Sequence, residues 1–138
     1  MSVRFYILLT FFLLPVYLLA QKCDYIKGSF YNEENKVRIY LDLSGDNLIV
    51  PGYEFLGKTK GYMCGDIYGL WLLTSSKMEK GKTLLRFSND SGCDSQSILF
   101  SQQSDSVFLY EAIDGNAVKK VVKRKLVKIP SKMLFYKQ

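Results

Sequence analysis

From residue 37 onward the chain alternates between apolar and polar side chains. Val37, Ile39, Leu41 and Leu43 are interleaved with Arg38, Tyr40 and Asp42, and a period of two puts one set on a buried sheet face and the other on its opposite. Ser44-Gly45-Asp46-Asn47 follows, then an apolar stretch over 48–50 that ends at Pro51-Gly52. This predicts a hairpin whose second strand returns along the first. Further strands are expected over 53–55, 62–74, 82–87, 97–101 and 107–113, each bounded by Gly, Asn, Asp or Ser. Asp114-Gly115-Asn116 reads as a hairpin turn into a last strand over 118–129. Within that segment a short helix is the alternative over 119–128, and its β-branched content favours the strand. Eight or nine short strands at nearly regular spacing predict an all-β fold, an antiparallel sandwich or partly closed barrel.

The first 20 residues break this pattern. One basic residue, Arg4, precedes an apolar run from Phe5 to Leu19, and small Ala20 closes it. That is the form of a secretory signal peptide cleaved after Ala20, which leaves residues 21–138 as a single β-rich domain. The run is shorter than the ~20 apolar residues of a spanning helix. The expected location is therefore outside the cytoplasm, periplasmic or secreted. Lys22 before Cys23 argues against a lipid-modified cysteine. In an oxidising compartment Cys23, Cys64 and Cys93 allow one bridge and one free thiol, and Cys64 with Cys93 is the favoured pair because it would tether the loop at Ser91-Gly92.

Gly57, Gly61, Gly65 and Gly69 recur every fourth residue. In a regular strand the last three share a face with Met63, Ile67 and Trp71, which reads as a curved, glycine-notched sheet with Trp71 in its core. The functional reading assigns a binding surface to the other face, Tyr62, Asp66 and Tyr68, with Trp71 completing the aromatic cluster. The run GYEFLGKTKGYMCGDIYGLW, residues 52–71, resembles the glycine-punctuated strand repeat (GK turn, GxxxG strand, GxW) of small exported bacterial β-proteins of unknown function. The resemblance spans residues 37 to 74, implies an antiparallel β fold in the bacterial envelope, and carries no catalytic residues. This chain departs from the pattern in having Cys64 within the strand.

Charge is distributed unevenly. Residues 117–138 hold eight basic side chains and no acid, while residues 21–116 hold ten basic against thirteen acidic, a net of −3. Lys119, Lys120, Lys123, Arg124, Lys125 and Lys128 form the basic patch. It suits anionic lipid or an acidic protein through salt-sensitive attraction, or serves as a solvated edge that resists aggregation. Export and the lack of interleaved aromatics argue against nucleic acid.

The chain contains no histidine, which removes Ser-His-Asp and Cys-His hydrolases and histidine-ligated zinc. With no CxxC pair either, neither a metal nor another cofactor is expected. There is no GxSxG elbow and no complete phosphate loop, Gly81-Lys82-Thr83 matching only the end of one. Carboxylate chemistry survives as a class, with Glu54, Asp66, Glu79, Asp90, Asp94 and Glu111 as its candidates. The expected function is a non-enzymatic binding domain of the bacterial envelope recognising a protein or glycan, with an inhibitor or immunity role as its sharper form. The alternatives are a carrier holding an apolar ligand inside a barrel and a carboxylate-based glycan hydrolase.

Overall fold

The computed structural model describes residues 25–138; the leader, Ala20 and Cys23 lie outside the described residues. Strands β1 (Lys27–Asn32), β2 (Val37–Asp42), β3 (Leu48–Ile49), β4 (Lys58–Thr59), β5 (Gly61–Gly65) and β6 (Trp71–Glu79) form the first half. β7 (Lys82–Asn89), β8 (Ser95–Gln102), β9 (Val107–Gly115), β10 (Lys119–Val122), β11 (Lys125–Lys128) and β12 (Lys132–Lys137) form the second. Eight of them close a barrel in the order β1-β12-β9-β8-β7-β6-β5-β2, and every neighbouring pair is antiparallel. The path is an up-and-down meander. Two ribbons interrupt it: β3–β4 between β2 and β5, and β10–β11 between β9 and β12. No helix among the described residues is long and apolar enough to cross a membrane.

The period-two residues of β2 point into the barrel, where Val37, Ile39 and Leu41 are buried. Phe30, Met63, Trp71, Leu85, Phe87, Ile98, Phe100, Phe108, Tyr110, Met133 and Phe135 join them in one cluster. Phe100 is its hub, stacked on Phe108 at 5.1 Å and edge-on to Phe30 at 5.2 Å and Phe135 at 6.1 Å. An eight-stranded barrel is just wide enough either to be filled by side chains or to hold one small ligand. Here Phe30, Phe100, Phe108 and Phe135 project into it, with neighbouring ring centroids 4.7 to 6.1 Å apart.

Glycine at two positions of β5 lets this barrel close. A Cβ on Gly61 would lie 2.7 Å from Leu41 Cδ2, and one on Gly65, whose φ is +116°, would collide with the Lys36 carbonyl oxygen. The notched sheet with a core Trp71, which is 2% exposed, is therefore what these glycines build.

Several sequence expectations are corrected. β3 pairs with β4, not with β2, whose partners are β1 and β5. Residues 53–55 do not form a strand, since a 3-10 turn spans Glu54–Leu56. The strand expected over 62–74 is two antiparallel strands, because positive φ at Gly65 and Gly69 turns the chain between β5 and β6. Asp114-Gly115-Asn116 is no hairpin turn: β9 pairs with β8 and β12, and β10 pairs with β11 through a turn at Lys123 and Arg124, both at positive φ. β1 and β12, which close the barrel, were not among the expected strands.

Candidate binding surfaces

The excursion from β2 to β5 lays a second, smaller apolar cluster on the outside of the barrel. Val50, Tyr62 and Leu70 are its buried members, with Tyr40, Leu48, Tyr53, Cys64 and Leu72 packed against it. Tyr40 and Tyr62 face each other across the β2–β5 pair, their rings stacked at 4.8 Å with 22° between planes. Between this stack and the excursion runs a groove of about 320 Å³, lined by Tyr40, Val50, Pro51, Tyr53, Tyr62, Cys64, Gly65, Gly69 and Leu70. Burial raises Tyr62 above the ordinary tyrosine range, with lesser help from Tyr40 and Cys64. Burial also raises the Cys64 thiol, against the opposing pull of Arg38. Tyr62 and Cys64 therefore stay neutral at pH 7.

Beside the groove the excursion ends in a hydrogen-bonded turn. The Tyr53 amide donates to the Val50 carbonyl at 2.9 Å, Leu56 to Tyr53 at 3.0 Å and Gly57 to Glu54 at 3.1 Å. The Glu54 carboxylate accepts from the Gly52 amide at 3.1 Å. Bonds from its own amide and then from Gly52 hold that carboxyl below the usual carboxylate range. The turn presents Phe55, 81% exposed, with Leu56 and Ile49 also exposed. At the foot of the excursion, Asp42 accepts from the Ser44 hydroxyl and the Asn47 amide and lies 3.9 Å from Lys27 Nζ.

The four residues expected to share a binding face are not brought together. Trp71 is inside the barrel, because it pairs with inward-facing Met63, and its indole N–H donates to the Tyr68 carbonyl. Tyr62 is on the outer wall and lines the groove, though only 7% exposed. Asp66 and Tyr68 are exposed in the β5–β6 turn, where their amides donate to the Lys36 and Lys119 carbonyls. The face argument fails because the chain reverses at residues 66–70. Sequence reasoning missed Tyr40, Tyr53 and Phe55. Their signals were present: Tyr40 occupies a polar-phase position of β2, and Tyr-Glu-Phe-Leu lies between Pro51-Gly52 and Gly57.

The expected Cys64–Cys93 bridge is not formed; both are free thiols. Cys64 sits on the outer wall of β5 beside the tyrosines, and Cys93 is exposed in the β7–β8 turn, with β6 lying between β5 and β7. The acids considered for catalysis are dispersed: Glu54 in the excursion turn, Asp66 between β5 and β6, Glu79 at the end of β6 paired with Lys77, Asp90 and Asp94 between β7 and β8, and Glu111 on β9 opposite Lys132. A wider groove of about 680 Å³ near Pro130 holds none of these six; its acids are the exposed neighbours Glu33 and Glu34.

The six cations of the basic patch all fall on the β10–β11 ribbon. Its base is anchored by buried Val118 and Ile129, where the Ile129 amide donates a hydrogen bond to the Val118 carbonyl at 3.0 Å. Beyond that base it is exposed, apart from a half-buried Lys120.

The fold is an up-and-down β-barrel with an aromatic-rich core and two external ribbons. Comparison of the chain with family models, curated proteins and solved structures finds no match.

Proposed function

We propose that this protein is an exported, non-enzymatic binding domain of the bacterial envelope that recognises another protein, in the manner of an inhibitor or immunity protein. The observation that carries this reading is Phe55, exposed at the tip of a hydrogen-bonded turn and flanked by a neutral tyrosine groove. A large apolar ring exposed on a pre-organised turn costs little entropy when it enters a cleft. Aromatic anchors in such positions commonly dominate the binding energy of an interface. Tyr53, 6.0 Å from Phe55 between ring centroids, extends the same surface into the groove, where a partner side chain or a glycan face could stack.

The carrier reading finds less support, because Phe30, Phe100, Phe108 and Phe135 pack against one another in the barrel core. Of the six acids of the hydrolase reading only Asp90 and Asp94 share an element, the β7–β8 turn. The test is affinity capture from envelope extract at low and high salt, with the wild-type chain and Phe55→Ala side by side. A protein retained at high salt by the wild type and lost by the variant supports the reading. Equal retention by both overturns it.

A further inference from the structure

The β10–β11 ribbon carries chemistry that the Phe55 surface leaves unused. Its register is Lys119 with Lys128, Lys120 with Val127, Val121 with Leu126 and Val122 with Lys125. Paired residues share a face, so one face carries Val121 and Leu126 and the other carries Val122 and Val127. All four are exposed, between 38% and 53%. The ion pairs among the described residues are Lys27–Asp42 and Lys77–Glu79, so the six ribbon cations take part in none of them. From residue 117 to the end there is no acid at all.

We infer that the β10–β11 ribbon is a membrane-contact arm that enters the headgroup layer of an anionic bilayer. Charge complementarity selects an anionic occupant, and because the rest of the domain from residue 21, twelve basic against thirteen acidic side chains, is nearly neutral, the positive field is concentrated on the ribbon. The apolar residues then select a bilayer over a rigid acidic partner. A protein groove covers one face of a two-stranded ribbon, whereas this ribbon exposes valine or leucine on both. The headgroup layer surrounds both faces, offers phosphate to the lysines and Arg124, and lets the four apolar side chains reach the acyl boundary. This inference is independent of the Phe55 reading, and either can fail alone.

The test uses the protein as its host exports it, mixed with vesicles of phosphatidylcholine alone or of phosphatidylcholine and phosphatidylglycerol in equal parts, and read by co-sedimentation. Binding to the anionic vesicles is expected, weakening as salt rises, with little binding to the neutral ones. Lys123→Glu/Arg124→Glu/Lys125→Glu should weaken it by about a hundredfold or more, and Val121→Ser/Leu126→Ser by about tenfold. Phe55→Ala should leave it unchanged. To guard against a melted ribbon, Leu126→Trp supplies a fluorophore at the same site, whose emission should shift to the blue on anionic vesicles. No binding to anionic vesicles, no shift at position 126, or binding insensitive to the apolar pair and matched by a soluble polyanion would each overturn the proposal, the last pointing to an acidic macromolecule.

Discussion

Tyr40 and Tyr62 stack face to face on the outside of the barrel, 4.8 Å apart, on neighbouring strands whose inner faces bury Ile39 and Met63. The wall between β2 and β5 is therefore apolar on both sides, and the β3–β4 excursion is folded down to cover the outer one. Tyr62→Ala should cost about 3 kcal/mol of unfolding free energy by denaturant titration, the order seen for removing a buried aromatic ring. A double-mutant cycle with Tyr40→Ala should return a coupling of about 1 kcal/mol. Additive losses would mean that the stack contributes nothing beyond separate burial.

Gly65 should be the least replaceable glycine of β5. Gly65→Ala combines positive φ with a collision against the Lys36 carbonyl and should cost upward of about 2 kcal/mol. Gly81→Ala, at φ +78° with open space around it, should cost about 1 kcal/mol. Equal effects in thermal unfolding would remove close packing as the reason for Gly65.

These two cases also show how far the fold could be read from the chain. Alternation identified the inward face of β2, where Val37, Ile39 and Leu41 are buried, and bounding turn residues marked β7, β8 and β9 as strands, although the buried rows of β7 and β8 include Thr83 and Gln96. Alternation failed at β1, where Gly28 and Ser29 come first and the inward series ends in Asn32, a buried amide whose N–H donates to the Leu134 carbonyl at 2.7 Å. It also ran straight through residues 66–70, since nothing in local period distinguishes a continued strand from a reversal at Gly65. The same limit hid half of the candidate surface. Tyr62 was recognisable as an aromatic in a strand, but Tyr40 looked like a polar-phase residue, and Phe55 looked like strand until pairing left it in a turn. Which outer face becomes covered depends on where the β3–β4 excursion folds, and that contact is between segments far apart in period-two logic.

Asp42 should shape the acid limb of stability. Bonds from the Ser44 hydroxyl and then the Asn47 amide outweigh burial and hold its carboxyl below the ordinary aspartate range. A folded-state value below the unfolded one means the unfolded chain binds the proton first. The contribution is thus complete above the unfolded value of about 3.9 and is lost as pH falls through the folded one. Asp42→Asn should flatten part of the decline in unfolding free energy measured below about pH 4. An unchanged acid limb would show that Asp42 does not contribute to it.

The aromatic-packed core should refuse apolar ligands. Titrating the wild type with a long-chain fatty acid should leave Trp71 emission unchanged, since the indole is packed among core side chains and bonded to the Tyr68 carbonyl. Phe100→Ala should lose about 4 kcal/mol by opening a cavity at the hub. Saturable quenching of Trp71 by the wild type would restore the carrier reading.

The claim that the excursion turn is the contact surface is tested most directly by one affinity. Against the protein retained from envelope extract at high salt, Kd should rise by about thirtyfold or more for Phe55→Ala, the loss expected of an interface hot spot of about 2 kcal/mol or above. The Lys123→Glu/Arg124→Glu/Lys125→Glu variant should bind that partner as the wild type does. A Kd for Phe55→Ala equal to that of the wild type would contradict the account.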